Sequence, residues 1–139
     1  MKKYELTTET KINIFGKKLF RIKALVSFGS IIAGEKGGWI EKEENLSQSG
    51  NAWVYDNARI FYNANVSGNA DYTTIHGFGT HFRTTTFFRC KDKEIRVSCG
   101  CFFGTISEFR EQVKRTRKGK VAEEYLMIAD LMEKHFKEE

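Results

Sequence analysis

The chain contains no proline. Its turns must therefore be made by glycine and asparagine, the residue types that tolerate left-handed backbone conformations. Cysteine is scarce too. Cys90, Cys99 and Cys101 are the whole complement, which fits reduced thiols better than a disulfide framework. No run approaches the roughly 20 apolar residues that a membrane span requires. The opening MKKYELTTET lacks the apolar core of a signal peptide. These absences lead to the expectation of a cytoplasmic protein with no membrane partner.

What remains is a chain of 139 residues, the size of one compact unit. Its 40% hydrophobic and 14% aromatic content is ample for a packed core. Twelve phenylalanines are many for this length, so some should cover one another or a partner. The net charge of +5 and the pI of about 9.1 are compatible with an anionic partner without establishing one.

Broken every six residues, positions 45–74 read NLSQSG NAWVYD NARIFY NANVSG NADYTT. Asparagine opens each block, at Asn45, Asn51, Asn57, Asn63 and Asn69. Leu46, Ala52, Ala58, Ala64 and Ala70 follow, and two residues later come Gln48, Val54, Ile60, Val66 and Tyr72. Residues two apart share one face of a strand, so these two columns point inward. Ser47, Trp53, Arg59, Asn65 and Asp71, with Ser49, Tyr55, Phe61, Ser67 and Thr73, then point outward.

A corner every six residues predicts a short left-handed parallel β-helix of the hexapeptide kind. Its asparagines are expected to serve structure, as stacked amides or corners, more than ligand binding. A triangular coil takes three hexads, so five make fewer than two coils and the flanks must cap both ends.

The fold class read from this is mainly β with C-terminal helices. Residues 1–44 form an N-terminal β cap whose hairpin turns at Phe15-Gly16-Lys17-Lys18, 45–74 the β-helix, and 75–139 an α+β element. In the last part, FRTTTFFRC and KEIRVSC read as a second hairpin around Lys91-Asp92-Lys93. Thr105-Ile106-Ser107-Glu108 is a capping box that opens a helix with Ile106, Phe109 and Val113 on its apolar face. A second helix runs from about Val121 to Phe136, with Tyr125, Ala129 and Met132 at helical spacing.

The segments FRIKAL, GGWIEKEENLSQSGNAWVYDNA, RTTTFFRCKD, CGCFFGTISEF and EEYLMIADLM together resemble a group of small bacteriophage and prophage proteins. These have a short hexapeptide-repeat β-helix and a C-terminal α+β cap. The resemblance covers nearly the whole chain. It implies a phage or prophage origin and brings no catalytic residue with it. Small accessory phage proteins often counter host defence by binding a defence protein or its nucleotide signal, which is an association with a class.

Several residues could carry chemistry. Arg83, Thr84, Thr85, Thr86 and Arg89 offer guanidinium groups and hydroxyls for a phosphate or carboxylate, with cross-strand threonine pairing as the plainer explanation. Arg110, Lys114 and Arg117 form a basic stripe on the first helix, suited to phosphates if it is not simply a solvated face. Trp53, Tyr55, Phe61 and Tyr62, read as outward, make an apolar patch that either a flanking element or a second chain must cover; a homo-oligomer is favoured, a trimer among the forms open to it.

Cys90, Cys99 and Cys101 with a histidine could supply zinc ligands. The Cys99-x-Cys101 spacing is wrong for the usual loop, and buried thiols are the default. His76 and His81 lie just past the coil and invite comparison with hexapeptide acyltransferases, although fewer than two coils leave little room for their cleft. No catalytic residue, metal or cofactor is assigned. The reading is a non-enzymatic, phage-encoded binding protein that engages a host defence protein, a nucleotide or nucleic acid. A small enzyme such as an acyltransferase is the alternative, and a structural or assembly protein a further one.

Overall fold

The computed structural model describes residues 1–137. Strand β1 (Tyr4–Ile12) turns into β2 (Lys18–Ala24) through a tight loop. There the Asn13 side-chain oxygen accepts from the backbone N–H groups of Phe15 and Lys17, at 2.9 and 3.0 Å. β3 (Lys36–Ile40) continues antiparallel to β2, and β4 (Arg59–Ile60) adds parallel to β3. The second sheet is a meander of β5 (Tyr72–Phe78), β6 (Arg83–Arg89), β7 (Ile95–Cys99) and β8 (Phe102–Thr105), paired antiparallel in that order. Helices α1 (Ile106–Thr116) and α2 (Gly119–His135) complete the chain.

This corrects the expectation of a short left-handed β-helix. The molecule is built on two four-stranded sheets, neither closed nor wound into a solenoid, with two helices. The hexad segment supplies β4, the start of β5, the 3-10 turn Asn69–Asp71, the end of another (Glu43–Asn45), a parallel bridge between Leu46 and Val66 and an antiparallel one between Ala64 and Cys90. A solenoid requires each repeat to stack on an equivalent repeat. Here the hexads meet one another through the Leu46–Val66 bridge and a few side-chain bonds such as Asn69 to Trp53, and otherwise lie against β3 and the second sheet.

The inward columns nevertheless fill the core: Leu46, Ala52, Val54, Ala58, Ile60, Ala64 and Val66 are all buried. Close approach of β3 to this segment explains Gly37, where a Cβ would fall 2.5 Å from the Val54 carbonyl oxygen.

The asparagines do not act as equivalents. Fully buried Asn45 accepts from the Glu41 and Lys42 N–H groups and donates to the Tyr62 and Ala64 carbonyls, binding a 3-10 turn to the next pass of the chain. Asn69 accepts from Trp53 N–H, whereas Asn51 is exposed and its side chain lies against Gly29. Lys3, also buried, donates to the Ala52 carbonyl at 2.7 Å and sits over the Phe28 ring.

Strand β6 is covered on both faces. Phe88 points into the core shared by the first sheet and the hexads, at 5.7 Å from the Phe61 ring. Its neighbour Phe87 points the other way, into a second core with Val97, Ile106, Phe109 and the apolar face of α2. The capping box at Thr105 is formed, Thr105 Oγ1 accepting from Glu108 N–H and Glu108 accepting from Thr105 N–H. None of the described helices is long and apolar enough to cross a membrane.

Because Asn45 satisfies four backbone groups in a dry environment, Asn45→Ala is expected to cost about 1–3 kcal/mol in chemical denaturation. Asn51→Ala should change stability by less than about 0.5 kcal/mol. Equal losses at both positions would contradict this account.

Candidate functional site

Two hollows open on either side of the β7–β8 turn, and Arg83 lines both. The guanidinium reaches across Gly100, where a Cβ would collide with Arg83 Nη1. Gly100 also has φ +59°, a left-handed conformation that favours glycine.

The first hollow, of about 410 Å³, lies where the two sheets meet. Lys11 comes from β1, Asn57 and Arg59 from the hexads, Thr84 and Thr86 from β6, and Ser98 from β7. Thr86 Oγ1 accepts from Arg59 N–H at 3.2 Å, which ties the sheets together beside the opening. Thr84 shares a 2.8 Å hydrogen bond with His76 Nδ1 across β5 and β6. The Lys11 ammonium lies 4.7 Å from the centre of the Trp39 ring, and Arg21 lies 4.8 Å from the same ring. Burial, followed by the charges of Arg59 and Arg21, lowers the Lys11 pKa. Among the described residues, no carboxylate lines this hollow.

The second hollow, also about 410 Å³, lies between the β1–β2 turn, the end of the second sheet and the helices. Its wall carries a short polar chain. Thr85 Oγ1 donates to Cys99 Sγ at 3.2 Å, and Cys99 Sγ in turn donates to the Tyr125 hydroxyl at 3.9 Å. Burial and the adjoining Cys99 push the Tyr125 phenol up to about 12, against the opposing pull of Arg117 and Arg83. Gly79 leaves room for that hydroxyl, which a Cβ would strike. His81 and Arg83 stand at the same hollow, with Phe102, Phe103 and Phe109 as its apolar lining.

The residues singled out in the sequence are thus dispersed. Arg83, Thr84 and Thr86 reach the first hollow, but Thr85 faces the opposite side of β6, as strand alternation dictates. Arg89 pairs with Asp71 at 3.1 Å, donates to the Phe136 carbonyl and lies over the Phe136 ring, joining the meander to the end of α2. Arg110 clasps Asp130 and Glu133 of α2 at 2.9 and 2.7 Å. Lys114 lies 3.9 Å from Glu111, Arg117 lines the second hollow, and Arg110 lines a separate one beside Glu133 and Phe136.

The proposed aromatic patch is corrected as well. Trp53 is fully buried beneath Tyr4 and Phe28, and Phe61 is buried among Phe15, Phe88 and Phe103. Only Tyr55 and Tyr62 remain exposed. All three cysteines are free thiols, and burial raises the Cys90 pKa. No cluster of three or more metal-ligating side chains occurs among the described residues. Lys11, Arg59, Ser98 and Tyr125 went unrecognised as site residues. Only the meeting of the sheets and helices reveals them.

No family model matches the chain. It is similar to a protein of Escherichia coli K12 described as an uncharacterized acetyltransferase, YdcK, at 42% identity over an 84-residue alignment. That alignment takes in 52% of this chain and 25% of the relative, so the chain spans about a quarter of the length of the curated protein it matches. The relative's description overturns the reading of a non-enzymatic, phage-encoded anti-defence protein and favours the enzyme alternative.

Tyr72 is also pushed up to about 12 by burial, its hydroxyl donating to the Trp53 carbonyl. A phenol whose pKa rises on folding stabilises the fold below its unfolded value and loses that contribution as pH climbs through the folded one. Stability should therefore fall between the ordinary tyrosine value of about 10 and about 12. Denaturant midpoints across that window would measure the fall. A decline just as steep in the Tyr72→Phe/Tyr125→Phe double variant would assign it to other groups.

Proposed function

We propose that the chain belongs to an acyltransferase and takes part in moving an acetyl-type group from a thioester donor to an amine or hydroxyl acceptor. The observation that carries this reading is the 42% identity with a protein named as an acetyltransferase. The second hollow supports it chemically. In such a transfer the acceptor attacks the thioester carbonyl, loses a proton to a base, and displaces the donor's thiolate, which takes up a proton. His81 is the group in the hollow suited to act as base, and Arg83 is placed to stabilise the oxyanion formed on attack. Phe102, Phe103 and Phe109 give the hollow an apolar wall against which the donor's acyl group could pack.

The cytoplasm is the compartment this reading requires, because activated thioesters and free thiols belong together there, and the chain's three thiols are unpaired. We also read the chain as self-associating through exposed Tyr55 and Tyr62, the remainder of the aromatic patch. Native mass spectrometry should then show an oligomer that Tyr55→Ser/Tyr62→Ser converts to monomer. A monomeric parent protein would remove this part of the reading.

The test of the activity is thiol release from acetyl-coenzyme A in the presence of a panel of amines and sugar or nucleoside hydroxyls. His81→Ala should lower the rate by about 10²–10⁴-fold. Release no faster than spontaneous hydrolysis with every acceptor, or an undiminished rate in His81→Ala, would remove the reading or the assigned base respectively.

A further inference from the structure

The hollow between the sheets holds a concentration of positive charge that the fold does not neutralise. Lys11, Arg59 and Arg83 form no ion pair among the described residues. Their neighbour Arg21, by contrast, stands 3.7 Å from Glu9, which also binds Lys36 at 2.7 Å. No carboxylate is among the described residues that line the hollow. Bringing like charges together without a counter-ion opposes folding; at Lys11 the charges of Arg59 and Arg21 add to the larger effect of burial in lowering the pKa.

Hydroxyl donors complete the arrangement. Thr86 is 2% exposed, and its oxygen already accepts from Arg59 N–H. Its proton has no acceptor among the described residues, so it remains available to a ligand. Ser98 stands opposite Thr86 on β7, and Thr84 lies two residues along β6 on the same face.

We infer that this hollow is a binding site for the phosphate groups of a small phosphorylated molecule, held by Lys11, Arg59 and Arg83 with Thr84, Thr86 and Ser98. A carboxylate would neutralise one charge of the three, whereas a phosphate ester or diphosphate neutralises two or more and accepts bonds from several directions. The volume of about 410 Å³ lies within the range of small-molecule sites and exceeds what one free phosphate fills. An extended nucleic acid fits less well. It needs a continuous basic track, and in the helical stripe that could extend one Arg110 is held by Asp130 and Glu133 and Lys114 lies beside Glu111, which leaves Arg117.

The inference does not rest on the transferase reading. A chain inactive with acetyl-coenzyme A that still binds pyrophosphate would retain this site and lose that reading. An active chain indifferent to pyrophosphate would do the reverse.

The experiment is titration calorimetry of the whole chain with inorganic pyrophosphate and inorganic phosphate at low salt, alongside amide chemical shifts on the same samples. Pyrophosphate should bind saturably and more tightly than phosphate, and the shifts should centre on residues 57–59, 84–86 and 98–100. Lys11→Gln and Arg59→Gln should each weaken binding about tenfold or more, while Lys120→Gln at the start of α2 should leave it unchanged. The wild-type shift map decides the matter even if a variant fails to fold. No saturation at about 1 mM pyrophosphate, or shifts centred elsewhere, would overturn the inference. So would tighter binding of a single-stranded oligonucleotide, weakened equally by Lys120→Gln.

Discussion

The fold depends on one strand being buried on both sides. In β6, Phe87 and Phe88 are adjacent in the chain and completely covered, yet they belong to different hydrophobic cores. Strand alternation makes this unavoidable once the first sheet lies on one face and the helices on the other. Every other layer takes its position from β6. The hexads reach it through Phe61, while α1 and α2 close over Phe87. Slipping the strand by one residue would drive Thr86 and Thr84 into the helical core and leave phenylalanines facing the cationic hollow.

The same alternation sorts the chemistry. Side chains of even number on β6 meet the first sheet, where Thr84 and Thr86 join Lys11 and Arg59. From Thr85 onward the odd ones meet the helices, where Thr85 bonds Cys99 and Arg89 fastens Asp71 to the end of α2, while Arg83 at the strand's start reaches both sides. A run of threonines that reads as one polar patch in the sequence is therefore divided between two environments. Charge is divided likewise. Arginines on the helical side meet carboxylates of Asp71, Asp130 and Glu133, whereas the cations between the sheets meet none.

Local features were the legible ones. The Thr105–Glu108 capping box, the turn after Phe15 and the alternation Ala52/Val54 or Ala58/Ile60 depend on neighbours a few residues away, and each is present as read. The β-helix was misread because a period records spacing and not what lies beside each repeat. Ala and Val columns fill a core equally well whether the next layer is another hexad or a hairpin. Trp53 and Phe61 were placed outside by the same periodicity. They lie inside because Phe28, Tyr4, Phe15 and Phe103 arrive from distant parts of the chain. For that reason too, neither Lys11 nor Arg59 carried a local signal of a shared site.

Arg83 stands in the wall of both hollows, with its guanidinium laid over Gly100. A single planar cation cannot make its full set of hydrogen bonds to ligands on both sides at once. Whatever draws it toward one hollow withdraws it from the other, and linkage requires the effect to be equal in each direction. Were both hollows to hold ligands that call on this guanidinium, they would act as antagonists at equilibrium, with an arginine as the balance between them.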